Sequence, residues 1–336
     1  MPTEEKERVT PQPHRDQTEA GGGGRQWTSR SIGSGWQHGI FYALIRLGGR
    51  QGAYALLLFV VAYYTLFRPS VRARSEHYLK RRFPGRSAWA RLWDSYRLNL
   101  GIGRILVDRA VLGILGPEHL KLSLAGGEEL QALLAEGRGL VLVTAHVGCW
   151  QLAMSSLSVL DTRVSLLIHR EEGDLDRHFF EHGGEGKAPY HLIDPAGYLG
   201  GTLEMLQVLK HGEILCIMGD RVMGGESGTV SVDFLGQPVE LPFSPYKLAS
   251  ATGAPVAVIF PYQTGEGEYA LQVARVIRVP EHLGRSPRAY RPYAAQFIEA
   301  LSGFIARHPY QFFNFFDMWA PAVHGKRPAS DKAASA

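Results

Sequence analysis

Leu140-Val-Leu-Val-Thr144 reads as a strand that delivers Ala145-His146-Val147-Gly148-Cys149-Trp150-Gln151 at its carboxyl end. In an α/β sheet that end is where side chains meet a ligand. A histidine there, close to the start of the next helix, is placed to act as a general base. Asp220 follows a second strand, Ile214–Met218, and is expected to lie on the same sheet edge as His146. A carboxylate there could orient the imidazole, although a turn-forming aspartate fits the same position. Arg170 and Arg221 also stand just past strands, at a rim where a guanidinium can pair an anionic group in bidentate fashion.

Other chemistries find little support. Ser227 in Gly225-Glu-Ser-Gly228 lacks the strand and helix that would make it a nucleophile elbow. His169, His178, His182 and His191 form a loose histidine-rich region, but their spacings with Cys, Asp and Glu reproduce no zinc arrangement, so no metal is expected. Gly21–Gly24 follows no strand and precedes no Gly-Lys-Ser/Thr, which removes it as a phosphate loop. Gly101-Ile-Gly103 lies inside a helical run and is a poor dinucleotide fingerprint. Cys149 and Cys216 each sit in an apolar stretch and read as small core residues in a reducing compartment.

The elements that must hold these residues begin near Trp27. A helical run reaches a break at Gly48 and Gly49, and the most hydrophobic stretch of the chain follows from Ala53 to Phe67. At roughly 15 residues that stretch is short of the ~20 needed to span a bilayer, so monotopic insertion is the favoured reading over a single span. Tyr54, Tyr63 and Tyr64 suit a membrane interface, and Arg68, Arg72, Arg74, Lys80, Arg81 and Arg82 suit an anionic leaflet. From Ser87 to Leu115 the spacing of Trp89, Leu92, Trp93, Tyr96 and Leu100 predicts an amphipathic helix with its aromatic stripe in the core.

Downstream the texture becomes strand, helix, strand. Strands are expected at 120–124, 140–144, 164–168, 191–193 and 214–218, with helices at 128–135, 152–160, 175–180 and 202–209. This succession predicts a mostly parallel central sheet flanked by helices on both faces. A hairpin from Val230 to Leu241, a helix over 244–250, strands at 255–260 and 269–279 and a helix over 289–307 complete the domain. Residues 1–26 and 322–336 have the composition of disordered segments.

Several ordered blocks resemble the lysophospholipid acyltransferase superfamily, and within it the bacterial lipid A biosynthesis acyltransferases and related predicted acyltransferases. They are His146-Val-Gly-Cys-Trp-Gln151, Met218-Gly-Asp-Arg221, Val232-Asp-Phe-Leu-Gly236 and Pro242 to Val256 with its Leu-Ala-Ser-Ala-Thr-Gly-Ala-Pro-Val. Trp36-Gln-His-Gly-Ile40 and Phe312-Phe-Asn-Phe-Phe-Asp-Met-Trp319 extend the likeness to both ends. The resemblance implies transfer of a fatty acyl group from an acyl carrier protein or coenzyme A thioester to a hydroxyl or amine of a lipid or glycolipid acceptor. In that chemistry His146 is the base, no separate cofactor is needed, and Gly148 could offer its N–H to the thioester oxygen. Arg170 and Arg221 would meet a carrier phosphate or an anionic head group.

The family places Asp or Glu where this chain has Gln151. An amide oxygen there can hold a tautomer but supplies no charge for the imidazolium. A working variant dyad, a dyad completed by Asp220, and a degenerate site that only binds acyl chains or lipid all fit. The resemblance further implies a helical membrane-associating region at 27–116, an acyltransferase domain at 117–321, and a place on the cytoplasmic face of a bacterial inner membrane. A formal charge of +4 and a pI near 9.0 favour an anionic lipid surface or an acidic carrier without singling out nucleic acid.

Overall fold

Apolar side chains alternate along the strand Leu140–Thr144 so that Leu140 and Leu142 enter one core and Val141 and Val143 another, all fully buried. A strand apolar on both faces needs cover on both, and each fully buried Val or Leu contributes about 1.5–3 kcal/mol. The computed structural model describes residues 35–150, 157–168, 190–195, 201–222 and 228–320. Gln151, Arg170, the helix expected at 175–180 and both terminal segments lie outside these residues.

The strands are β1 (Lys121–Ala125), β2 (Leu140–Thr144), β3 (Val164–Leu167), β4 (His191–Ile193), β5 (Ile214–Met218), β6 (Thr229–Phe234), β7 (Gln237–Pro242), β8 (Val256–Gly265) and β9 (Glu268–Ile277). Seven of them form one sheet in the order β1-β9-β8-β2-β5-β3-β4, and β6 and β7 pair separately as the expected hairpin. The sheet is mostly parallel, as the alternation of strands and helices predicts; only the β8–β9 pairing is antiparallel. Strand β8 runs on to Gly265, beyond the expected end at Phe260, because β9 continues to pair with it.

The helices are α1 (Gly35–Phe67), α2 (Pro69–Arg82), α3 (Ala88–Leu115), α4 (Gly127–Leu134), α5 (Thr202–Lys210), α6 (Ser244–Thr252) and α7 (Pro287–Arg307). Leu130 and Leu133 of α4 cover one sheet face, whereas Met205, Leu209, Tyr246, Phe297 and Phe304 from α5 to α7 cover the other. Residues 157–160, the described part of the helix expected at 152–160, form a short 3-10 turn.

The expected break at Gly48 and Gly49 is a kink inside one helix, where Gly49 alone adopts φ 61° and ψ −158°. Antiparallel packing of α1 on α3 brings Leu57 against Gly103, where an added Cβ would stand 2.8 Å from Leu57 Cδ1. Close helix approach therefore accounts for that glycine. Fully buried Asp108 of α3 fastens this layer to the sheet. Its carboxylate accepts from Arg50 Nε at 2.8 Å, Tyr54 Oη at 2.8 Å, Tyr269 Oη at 2.6 Å and Gln263 Nε2 at 3.2 Å.

The aromatic stripe of α3 meets the sequence expectation in part: Tyr96 and Leu100 pack on the core of the helical layer, and its two tryptophans do not. Trp89 and Trp93 are 79% and 57% exposed, and the buried face of the helix carries Asp94, Ser95, Leu98, Ile105 and Val111. Helical spacing identifies a face but not which side of the helix meets protein.

Candidate active site

β2 and β5 are direct neighbours, with Thr144 opposite Met218. Two residues beyond each lie His146 and Asp220. Gly219 N–H donates to the Thr144 carbonyl at 2.7 Å, which carries the strand pairing one step past the strand ends. The two side chains therefore meet. His146 N–H donates to Asp220 Oδ2 at 3.0 Å, and the imidazole Nδ1 lies 2.9 Å from Oδ1 and 3.1 Å from Oδ2.

An ionised carboxylate can only accept, so in the neutral imidazole the proton belongs on Nδ1 and the lone pair on Nε2. Burial is the largest influence on the Asp220 carboxyl and raises it, but His146 and Arg221 together outweigh it and hold the group below the usual carboxylate range. The Asp220 side chain is 1% exposed and that of His146 26%, so the pair is sealed beneath and open at the imidazole. Arg221 is half-buried beside Asp220, with its guanidinium carbon 4.6 Å from the Phe316 ring centroid. Such stacking suits a planar cation.

The segment Gln311–Phe313 braces the histidine loop. Phe313 N–H donates to the His146 carbonyl at 2.7 Å, Gly148 N–H donates to the Gln311 carbonyl at 2.9 Å, and Val147 and Phe312 form an antiparallel bridge. Gly148 has φ +48°, and an added Cβ would stand 2.0 Å from the Pro261 carbonyl oxygen. With its N–H given to Gln311, this glycine supplies close backbone approach and not a free amide for a substrate oxygen. Cys149 and Cys216 are both buried and form no disulfide among the described residues, and burial pushes the Cys216 thiol up. His191 pairs with Glu204 at 2.5 Å, while His169, His178 and His182 lie outside the described residues.

Sequence reasoning names His146, Asp220, Arg221 and Gly148, and the structure gathers these four at one sheet edge. It misses Gln311 and Gln263, which sit on a loop and a strand with no chemical motif. The aromatic block that starts at Phe312 is the sole nearby signal.

The model of the bacterial lipid A biosynthesis acyltransferase family matches residues 25–320 of the chain. The chain belongs to that family. A phosphatidylinositol mannoside acyltransferase of Mycobacterium tuberculosis is 29% identical over 133 residues in each of two strains, CDC 1551 / Oshkosh and ATCC 25618 / H37Rv. That similarity covers 39% of this chain and 41% of the relative's length. In this member of the lipid A acyltransferase family, the carboxylate at the histidine is that of Asp220, two residues beyond the end of the neighbouring strand β5.

Proposed function

We propose that the protein is a lipid acyltransferase in which His146 and Asp220 form the working dyad. The observation that carries this reading is the contact of 2.9 Å between Nδ1 and Oδ1 at the carboxyl ends of two adjacent parallel strands. Nε2 of His146 removes the proton from an acceptor hydroxyl or amine as that atom attacks the carbonyl carbon of an acyl thioester. A new ester or amide bond forms, the carbon–sulfur bond breaks, and the thiolate leaves with the proton that His146 held. Asp220 balances the imidazolium formed on the way, which gives general-base assistance of about 10²–10⁴-fold. Substrate takes the place of a cofactor here, and the donor is an acyl carrier protein or coenzyme A thioester.

The acceptor class we favour is a glycolipid hydroxyl, in keeping with the lipid A of the family's description and the mannoside in the relative's name. Arg221 and Arg170 are the residues we assign to anionic parts of donor or acceptor. Residues 117–321 carry the chemistry in this scheme, and residues 27–116 bring it to a membrane.

Among the described residues one helix, Gly39–Phe67, is long and apolar enough to cross a bilayer by length and composition. Its buried face packs on α3 through Tyr54, Leu57 and Val61, and Arg50 is fastened to Asp108. Phe59, Tyr63, Leu66 and Phe67 on its other face are exposed, at the end where antiparallel packing brings Trp89 and Trp93 of α3. A helix bound along one face to the protein and aromatic along the other suits monotopic insertion, and we place it at the cytoplasmic face of a bacterial inner membrane.

Incubating purified protein with labelled acyl thioesters and a membrane lipid extract tests the reading. Transfer that is abolished by His146→Ala is the expected result. Turnover unchanged in that variant would remove His146 as the base, and no transfer by the parent protein would favour a non-catalytic acyl- or lipid-binding role.

A further inference from the structure

The histidine loop is held by backbone hydrogen bonds to the segment Gln311–Phe313, outside the dyad. Gln311 accepts the Gly148 N–H through its backbone carbonyl at 2.9 Å. Its side chain then makes a two-point pair with the backbone of β8: Gln263 N–H donates to Gln311 Oε1 at 2.7 Å, and Gln311 Nε2 donates to the Gln263 carbonyl at 2.9 Å. The Gln263 side chain in turn donates to Asp108 Oδ2 at 3.2 Å and to Tyr54 Oη at 3.3 Å. A continuous path of hydrogen bonds runs from the helical layer through β8 and Gln311 to the loop bearing His146.

From this we infer that Gln311 is a positioning residue for His146, a role that rests on the acyl-transfer reading of the dyad. The loop leaves β2 after Thr144 and has no regular sheet partner beyond the bridge of Val147 to Phe312. Phe312 and Phe313 are themselves part of the non-helical segment that follows α7, so their position depends on what anchors that segment. Tyr78 Oη donates to the Pro309 carbonyl and Tyr310 Oη to Asp94, which hold the segment to the helical layer, and Gln311 ties it to β8, because an amide side chain can satisfy one backbone donor and one backbone acceptor at once. Without it the segment 311–313 can shift against β8, and His146 moves with it relative to Asp220. A misplacement of about 1 Å costs a reaction of this type about a hundredfold.

The test is Gln311→Met, which keeps the length of the side chain and the backbone carbonyl but removes both side-chain hydrogen bonds. The expected result is a fall in kcat of about tenfold to a hundredfold with the KM for the thioester unchanged, as for an interaction that matters in the transition state. NMR of the imidazole N–H of His146, assigned by its loss in His146→Ala, gives a readout independent of turnover; its resonance should shift or broaden in Gln311→Met. Should that variant fail to fold, Gln311→Glu keeps the acceptor for Gln263 N–H but sets a carboxylate oxygen against the Gln263 carbonyl in place of the donor, and should show a change of the same kind. An unaltered resonance together with unaltered kcat would overturn the role of Gln311. A changed resonance in a protein whose parent form transfers no acyl group would leave the positioning intact and overturn the reaction assigned to the site.

Discussion

Oδ1 of Asp220 lies 2.9 Å from Nδ1 of His146, and each residue stands two positions beyond the directly paired Thr144 and Met218. The carboxylate in contact with the imidazole thus lies just past the end of the adjacent strand, and in the proposed dyad Gln151 need not play that part. Asp220→Asn should lower kcat for acyl transfer by about 10²–10⁴-fold, because the amide can turn its NH₂ toward Nδ1 and favour the wrong tautomer. Gln151→Ala should retain activity to within a few-fold. Initial rates with a labelled thioester check both, and a loss in Gln151→Ala as large as that in Asp220→Asn would return the partner's role to Gln151.

Acid should expose the same pair through stability. The folded Asp220 carboxyl titrates below its ordinary value, so the unfolded chain takes up this proton first as pH falls. The contribution is therefore complete above the unfolded pKa of about 3.9 and is lost as pH falls through the lower folded value. Wild type should lose stability more steeply than Asp220→Asn over that acidic window, which urea unfolding at a series of pH values would measure. Parallel curves for the two proteins would contradict it.

Gly148→Ala should damage the loop more than a methyl group usually does. The new Cβ would meet the Pro261 carbonyl oxygen at 2.0 Å and Tyr262 Cα at 2.8 Å, both of them backbone, at a φ of +48° that disfavours any side chain. We expect about 1–3 kcal/mol of destabilisation and a fall in transfer rate, read by denaturant unfolding and by the labelled-thioester assay.

The Asp108 hub predicts a different pattern of damage. Asp108→Ala leaves Arg50, Tyr54, Tyr269 and Gln263 without their common acceptor and should cost about 3–5 kcal/mol. Asp108→Asn keeps one carbonyl oxygen and should cost less, about 1–3 kcal/mol. Thermal unfolding distinguishes the two, and melting temperatures equal to that of the wild type in both variants would show that the charge and its four partners contribute little.

How much of this could be read from the chain depends on the range of each interaction. The strands β2 and β5 are short apolar runs with local signals, and the fold class follows from their alternation with helices. Their adjacency does not follow, because sheet order depends on crossovers that periodicity leaves open. Asp220 is consequently a candidate in the sequence and a neighbour of His146 only in the structure. Gln311 is beyond reach for the same reason: its partners Gly148 and Gln263 are 163 and 48 residues away. The aromatic spacing of α3 marks a helical face correctly but puts its whole length in the core, whereas Tyr96 and Leu100 pack there and Trp89 and Trp93 are exposed, because spacing does not say which stretch of a face meets protein.

That exposed face yields the last prediction. Trp89 and Trp93 stand at the same end of the helical layer as Tyr63 and Phe67 of α1, and Arg68 and Arg74 are exposed close by in the chain. Aromatic side chains at the depth of lipid head groups, flanked by arginines, favour a membrane with anionic lipids. Burying a large apolar side chain contributes about 1.5–3 kcal/mol, and about 1.4 kcal/mol is a factor of ten in partitioning. Replacing both tryptophans by serine should therefore weaken binding to phosphatidylglycerol-containing vesicles by at least about tenfold in a cosedimentation assay. The same substitutions should change folding stability by no more than about 0.5 kcal/mol each, because neither side chain is buried in the protein. Undiminished vesicle binding by the double variant would assign the exposed aromatic face to something other than lipid.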